Sequence, residues 1–423
     1  MKIAIVGSGI AGNVVADRLH RQHEITLFES GSHVGGHTHT HAIELDGERQ
    51  EIDTGFIVYN ERTYPNFIAL LEKLGVATQP SSMSFSVRNE RTGLEYNGTT
   101  LNTLFAQRRN LFRPSFHRMI RDILRFNREA PALLAGESAI ALGEYLADHG
   151  YSSVFRDDYL VPMGAAIWST DPARVLAFPA RYFIRFFHNH GMLSIDDRPQ
   201  WRTIAGGSAR YVEKLCAPFR DRIRLDTPVE WVKRTSAGVT LKARGCVPER
   251  FDHVFLGCHS DQALRLLSDA TPLEREVLGA IPYQMNEVVL HTDTRLLPRS
   301  RRAWAAWNYH VLDDTAAPVA LTYNMNILQN LAARETYCVT LNRTHQIDTR
   351  RILKRLVYAH PLFTPAGVAA QQRQSAVNGV NRTWFCGAYW RFGFHEDGVV
   401  SALDALRHFE EGGHGKRDLL RVA

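Results

Sequence analysis

The chain has 423 residues, 44% of them hydrophobic and 22% charged, which is the make-up of a folded globular protein too long for one simple core. No run approaches the ~18 apolar residues of a membrane span, and the opening apolar stretch meets Gly7 too soon to be the centre of a secretory signal. The formal net charge is +6, and the surplus is concentrated, because residues 107–128 carry seven arginines against Asp122 alone.

In chain order, residues 2–6 read as a buried strand that runs into Gly7-Ser8-Gly9-Ile10-Ala11-Gly12 and then a helix through Leu19. In such a turn the first glycine permits the tight bend and the second lets the backbone approach a pyrophosphate. The third lets helix and strand touch, and the helix N-terminus offers partial positive charge to the phosphates. A second strand, residues 25–28, ends at Glu29, where a carboxylate can take up the hydroxyls of a ribose. Ser30 and a second glycine turn, Gly35-Gly36-His37-Thr38, follow. Residues 50–57 read as another short strand. Residues 103–148 have helical periodicity, and residues 152–195 continue as aromatic-rich helices broken at Pro162, Pro172 and Pro179. Strands are predicted at 229–231, 239–242 and 251–256, with several more between 284 and 344. The tail from Trp384 reads as strand, glycine turn and a helix over about 398–410. This order is that of an α/β protein in which a Rossmann-type domain (1–58, 200–265 and 376–423) is interleaved with an α+β substrate domain (59–199 and 266–375).

From Glu29 onward the chain resembles the flavin-containing amine oxidase superfamily, which includes monoamine oxidases, phytoene desaturases and protoporphyrinogen oxidases. The segments that carry the resemblance are Gly35-Gly36-His37-Thr38, with His37 where the family usually has arginine, and Asp53-Thr54-Gly55-Phe56. Val229 after Thr227-Pro228, residues 251–258, and the closing Trp384-Phe385-Cys386-Gly387 with Gly393-Phe394-His395-Glu396-Asp397-Gly398-Val399 complete it. The resemblance implies non-covalent FAD. Gly7, Gly9, Ile10, Ala11, Gly12, Glu29, Ser30, Gly35, Gly36, His37 and Thr38 would hold its dinucleotide end, and Val229 its adenine. Thr54, Gly55 and Phe56 would pass near the ring and Gly387 under the ribityl chain. Asp397, Gly398 and Val399 would open a helix whose dipole stabilises an anionic reduced flavin. No second glycine fingerprint exists for a separate NADPH domain. The strings at 53–60, 62–67, 166–169 and 199–203 are similar to a bacterial subgroup of NAD/FAD-binding proteins. Its relatives are linked to modification of membrane-lipid acyl chains.

In many amine oxidases a lysine faces the flavin, but no lysine occurs between Lys242 and Lys354, and the tyrosine pair that cages amines has no clear counterpart. What remains is an aromatic and amide-rich set that suits a hydrocarbon-like small molecule: Trp168, Trp307, Tyr309, Tyr323, Asn324, Asn326, Tyr389, Trp390 and Phe394, with His395, Glu396 and Asp397. His395 is a candidate for proton transfer or, equally, for holding its loop, and Tyr389 is the second catalytic candidate. His33, His37, His39 and His41 alternate as they would on one face of a strand, but no cysteine or acid completes a ligand set, so no metal is expected. The expectation is an FAD-dependent oxidoreductase that performs a two-electron oxidation by hydride transfer to flavin N5, with desaturation of a lipid-like or fatty-acyl substrate foremost. Amine oxidation, double-bond isomerisation and a non-catalytic redox sensor are the alternatives. Five scattered cysteines fit a reducing cytoplasm. Arg118, Arg121, Arg125 and Arg128 share a helix face opposite Phe116, Met119, Ile120, Ile123 and Leu124. Such a helix either simply covers the core or makes peripheral contact with the inner membrane face. Nucleic acid is not expected, because no binding fold accompanies the charge.

Overall fold

The computed structural model describes residues 1–136, 138–314 and 317–414. Strand Lys2–Val6 lies at the centre of a five-stranded parallel sheet ordered Ile223–Arg224, Glu24–Phe28, Lys2–Val6, His253–Leu256, Thr383–Phe385. Ile3, Ala4 and Ile5 are all fully buried, as a strand covered on both faces requires. On one face, helices Ile10–Leu19 and His395–Phe409 share a core through Val14, Val15, Ala402 and Leu406. On the other, Ala4 and Val254 meet Val232, Val239 and Leu241 of the antiparallel sheet Val229–Thr235, Gly238–Ala243, Glu249–Phe251. The single strand expected at 251–256 is therefore divided between two sheets. Asp252 marks the join, and its carboxylate and backbone N–H pair with the Lys2 backbone N–H and C=O, each at 2.7 Å.

A second, seven-stranded mixed sheet runs Ile352–Pro361, Tyr283–His291, Cys338–Leu341, Leu321–Asn324, Trp307–Val311, Phe85–Asn89, Glu95–Asn97. The last two strands were not expected from the sequence. A small sheet of Val58–Asn60, Trp201–Ile204 and Thr78–Ser81 lies between segments assigned to the two expected domains. Helices from the middle of the chain pack with the seven-stranded sheet in the largest core, where Phe116, Met119, Phe126, Phe155 and Phe183 are buried. Helix Pro114–Glu129 also buries Asp122, whose carboxylate accepts the Ser152 N–H (3.0 Å) and hydroxyl (2.5 Å).

Pro162 does not break the helical run as expected. A π-turn, Arg156–Leu160, leads directly into Val161–Trp168, and the Asp158 carbonyl, four residues before the proline, accepts the Tyr96 hydroxyl at 2.7 Å. The closing helix begins three residues earlier than predicted, at His395, because the Asp397 carboxylate takes the Phe394 N–H at 2.9 Å. Residues 415–423, the end of the range assigned to the first domain, lie outside the described residues. Among the described residues, no helix is long and apolar enough to cross a membrane.

Candidate active site

The opening turn is built as its glycines demand. Gly7 adopts φ +96°, and a Cβ on Gly12 would stand 1.9 Å from the Gly7 carbonyl oxygen, so strand and helix touch here. Gly9 is different, since a Cβ there meets nothing within 4 Å, leaving open space before the helix N-terminus. Glu29, at the end of the second strand, accepts the Ser8 N–H (2.8 Å) and hydroxyl (2.6 Å) with one oxygen and the Gly31 N–H (2.8 Å) with the other. The second glycine turn docks on the first through the Gly35 N–H and the Ser8 carbonyl (3.0 Å).

A cavity of about 610 Å³ starts at this cradle and runs to the far sheet. Gly7, Gly9, Ile10 and Ala11 line it with Glu29, Ser30, Gly35, Gly36 and His37, then Thr54, Gly55 and Phe56. From the distant end of the chain, Gly387, Tyr389, Phe394 and His395 line the same space. The structure thus brings the opening and closing glycine turns onto one cavity. Gly12, Thr38, Val229, Asp397, Gly398 and Val399 are not among the lining residues. Gly12 and Gly398 instead set close packing, the latter against Ile10, and Val229 starts its strand half-buried.

His395 is neutral, because burial holds its pKa well below the usual histidine value. Its ring stacks on Phe56 at 3.5 Å, and its Nε2 lies 2.7 Å from the Tyr211 hydroxyl and 3.0 Å from that of Thr38. Those partners tie together the second glycine turn, the Phe56 loop and the start of the last helix. The Tyr389 hydroxyl is buried with no hydrogen-bond partner among the described residues, and burial pushes its pKa well above the ordinary value. Asp397, in the first turn of the closing helix, is pushed up to about 7 by burial. Behind the Phe56 loop, Asp53 is fully buried and raised to about 6 by desolvation. It accepts hydrogen bonds from Thr40 (2.5 Å), the Ser208 N–H and hydroxyl (3.0 and 2.7 Å) and Gln329 (3.1 Å).

The four alternating histidines do not share a face. His33 stacks on His39 with ring centroids 3.9 Å apart and His41 meets His39 at 4.0 Å with its ring tilted, whereas His37 turns to His259 and His360 at 5.7 and 5.6 Å. Only His41 of the four lies in the regular strand Thr40–Leu45, so the period-two argument fails for the others. Among the described residues, no group of three or more His, Cys, Asp or Glu side chains is placed to hold a metal.

Toward the far sheet the lining turns apolar: Ile167, Trp168, Met285, Trp307, Tyr323 and Leu341, with Phe363 and Phe392. Of the aromatic and amide set expected here, Trp168, Trp307, Tyr323, Tyr389, Phe394 and His395 face the cavity. Tyr309, Asn324, Asn326, Trp390, Glu396 and Asp397 do not. Asn326 instead bridges Glu335 and Tyr337, and Glu396 accepts the Asn66 and Phe67 N–H groups. The sequence reading missed His259, Tyr283, Tyr358 and His360, which reach the cavity from remote segments. Their only local signal is the aromatic spacing of residues 358 and 360 around Ala359.

The model of the flavin-containing amine oxidoreductase family matches residues 10–316. The chain belongs to this family. Its mixed α/β fold is that of solved flavin amine oxidases. Over 255 residues it is 24% identical to AofH of Mycobacterium tuberculosis, a candidate flavin-containing monoamine oxidase. That match covers 56% of this chain and 53% of the other, so the chain spans about half the length of the curated relative it matches. In structure it is similar to cyclohexylamine oxidase from Brevibacterium oxydans, with TM-score 0.70 and 17% identity, covering 97% of this chain and 99% of that one. It is also similar to a fatty acid isomerase from P. acnes that produces CLA, with TM-score 0.68 and 16% identity, covering 96% and 98%.

The residues present fit FAD. The open space at Gly9, the helix N-terminus behind it, the Glu29 carboxylate and the unpartnered Tyr389 hydroxyl supply room, positive potential, an acceptor and a donor along one cavity.

Proposed function

We propose that the protein oxidises a neutral, aliphatic, fatty-acyl-like substrate by removing two hydrogens from adjacent carbons. The observation that carries this reading is the charge of the lining. No lysine or arginine faces the cavity, and the one acid that does, Glu29, is already engaged by Ser8 and Gly31. A protonated amine would find no counter-ion there, and a free carboxylate no cation. An alkyl chain between Trp168, Met285, Trp307 and Leu341 meets mainly apolar and aromatic surface.

In this assignment Gly7, Gly9, Ile10, Ala11, Glu29, Ser30, Gly35, Gly36 and His37 would hold the dinucleotide end of FAD, and Thr54, Gly55, Phe56 and Gly387 would hold its flavin end. Gly12, Thr38, Asp397, Gly398 and Val399 fix the cradle from behind, and Val229 is kept for the adenine end. FAD, when bound, would supply the two-electron, hydride-accepting chemistry. The chain positions the alkyl segment and excludes water with its aromatic walls. The second hydrogen leaves as a proton, which the neutral imidazole of His395 on the cavity wall takes up. His395, neutral and fixed by Thr38 and Tyr211, holds the Phe56 loop in place, and Tyr389 offers its hydroxyl as a donor. Turnover also consumes an external electron acceptor.

The test is anaerobic mixing of the FAD-loaded protein with dispersed acyl lipids. Bleaching of the flavin with a product two mass units lighter is the expected result. An altered product of unchanged mass identifies a double-bond isomerase instead, and bleaching by amines alone overturns the alkyl reading. No response to lipid or amine leaves a non-catalytic flavin module.

A further inference from the structure

Residues 101–121 hold apolar side chains in solvent beside uncompensated cations. Leu101 is 77% exposed, Phe112 87% and Leu111 45%. Hydrogen bonds tie together the short elements that carry them. Arg108 reaches back from the turn Arg108–Phe112 to the Phe105 carbonyl (2.9 Å) and the Asn102 side chain (2.5 Å), beside the short helix Leu101–Leu104. His117, in the first half of helix Pro114–Glu129, lies 2.8 Å from the Leu111 carbonyl. Arg108, Arg109, Arg118 and Arg121 are exposed on this stretch, and Arg118 and Arg121 have no ion-pair partner among the described residues. The acid of the region, Asp122, is turned inward to Ser152. Farther along, Arg125 stacks on Tyr151 at 4.0 Å and Arg128 pairs with Glu129 at 3.0 Å, so the C-terminal half of the helix is already engaged.

We infer that this surface docks on an anionic lipid bilayer. Leu101, Leu111 and Phe112 enter the acyl boundary, and Arg108, Arg109, Arg118 and Arg121 meet the headgroup phosphates. Either signal alone gives weak attachment, and the two together give a stable one. A nucleic acid would satisfy the arginines but offers no apolar phase to Phe112 and Leu101. The contact sits toward the N-terminal side of the stretch expected from the arginine pattern. It rests on the surface alone and holds whether or not the cavity takes an alkyl chain.

Co-sedimentation of the full, FAD-loaded chain with phosphatidylcholine vesicles containing phosphatidylglycerol tests it. Binding should exceed that to pure phosphatidylcholine and fall at high salt. Arg118→Glu with Arg121→Glu should lower the partition constant by about tenfold or more. Leu101→Ser with Phe112→Ser should lower it comparably while leaving thermal unfolding unchanged, as these side chains are already in solvent. Equal binding by wild type and both variants, no preference for the anionic lipid, or binding to duplex DNA without binding to vesicles overturns the inference.

Discussion

Gly9 and Gly12 belong to one motif, yet the structure constrains them differently. Gly12→Ala forces a methyl against the Gly7 carbonyl, so strand and helix must separate. The expected cost is about 1–3 kcal/mol, seen as a lower thermal midpoint of the FAD-free protein. Gly9→Ala meets no atom of the chain. It should leave that midpoint unchanged and weaken FAD binding about tenfold or more, read by fluorescence titration. Equal midpoints for both variants would contradict the close contact at Gly12. Tyr389→Phe is complementary, because a buried hydroxyl without a partner adds nothing to the fold. Its loss should leave stability intact or raised and alter the visible flavin spectrum, and an unchanged spectrum removes Tyr389 from the flavin's surroundings. The tight turn at Gly7 and Gly12 was legible in the sequence because its contact is set within a few residues. Asp53 was not legible in its full role, since its partners Ser208 and Gln329 stand 155 and 276 residues away. The meeting of His37, His259 and His360 was hidden for the same reason.

At the level of elements, legibility followed covering. The central strands of the parallel sheet, Lys2–Val6 and His253–Leu256, are buried at almost every position and announce themselves. Phe85–Asn89 and Glu95–Asn97 do not, since they bury Ser86, Asn89, Glu95 and Asn97, whose polar groups are satisfied only after folding. The helical run through Pro162 misled for a related reason, in that the donor a proline removes came from another element. Tyr96→Phe should therefore destabilise the protein by about 1–3 kcal/mol in chemical denaturation, because the Asp158 carbonyl is left buried without its donor. In a Pro162→Ala background the penalty should shrink, since residue 162 regains an N–H within reach of that carbonyl. The same penalty in both backgrounds would mean the tyrosine acts through packing alone.

Over the whole molecule, buried titratable groups gather in the cavity (His259, His360) and behind its walls (His39, His41, Asp53, Asp397), and their balance sets the response to acid. Burial lowers His39 and His360 to about 3 and His41 and His259 to about 4. An unfolded chain takes up these protons near pH 6.5 and the folded one does not until far lower, so this contribution to stability is lost as pH falls. The carboxylates act in the opposite sense. Asp53 at about 6 and Asp397 at about 7 are raised by burial, so their contribution is present below the usual carboxylate value and is lost as pH rises through 6 to 7. Between pH 4 and 6 four imidazoles oppose two carboxylates, and the imidazoles win. The unfolding free energy of the FAD-free protein should accordingly fall on acidification, by roughly 2 kcal/mol per pH unit between about pH 6 and 4.5. His259→Asn with His360→Asn should flatten that slope, and Asp397→Asn should steepen it by removing an opposing group. Denaturant curves at three pH values across the window decide the matter, and a protein that gains stability on acidification would show that these buried imidazoles are not held neutral.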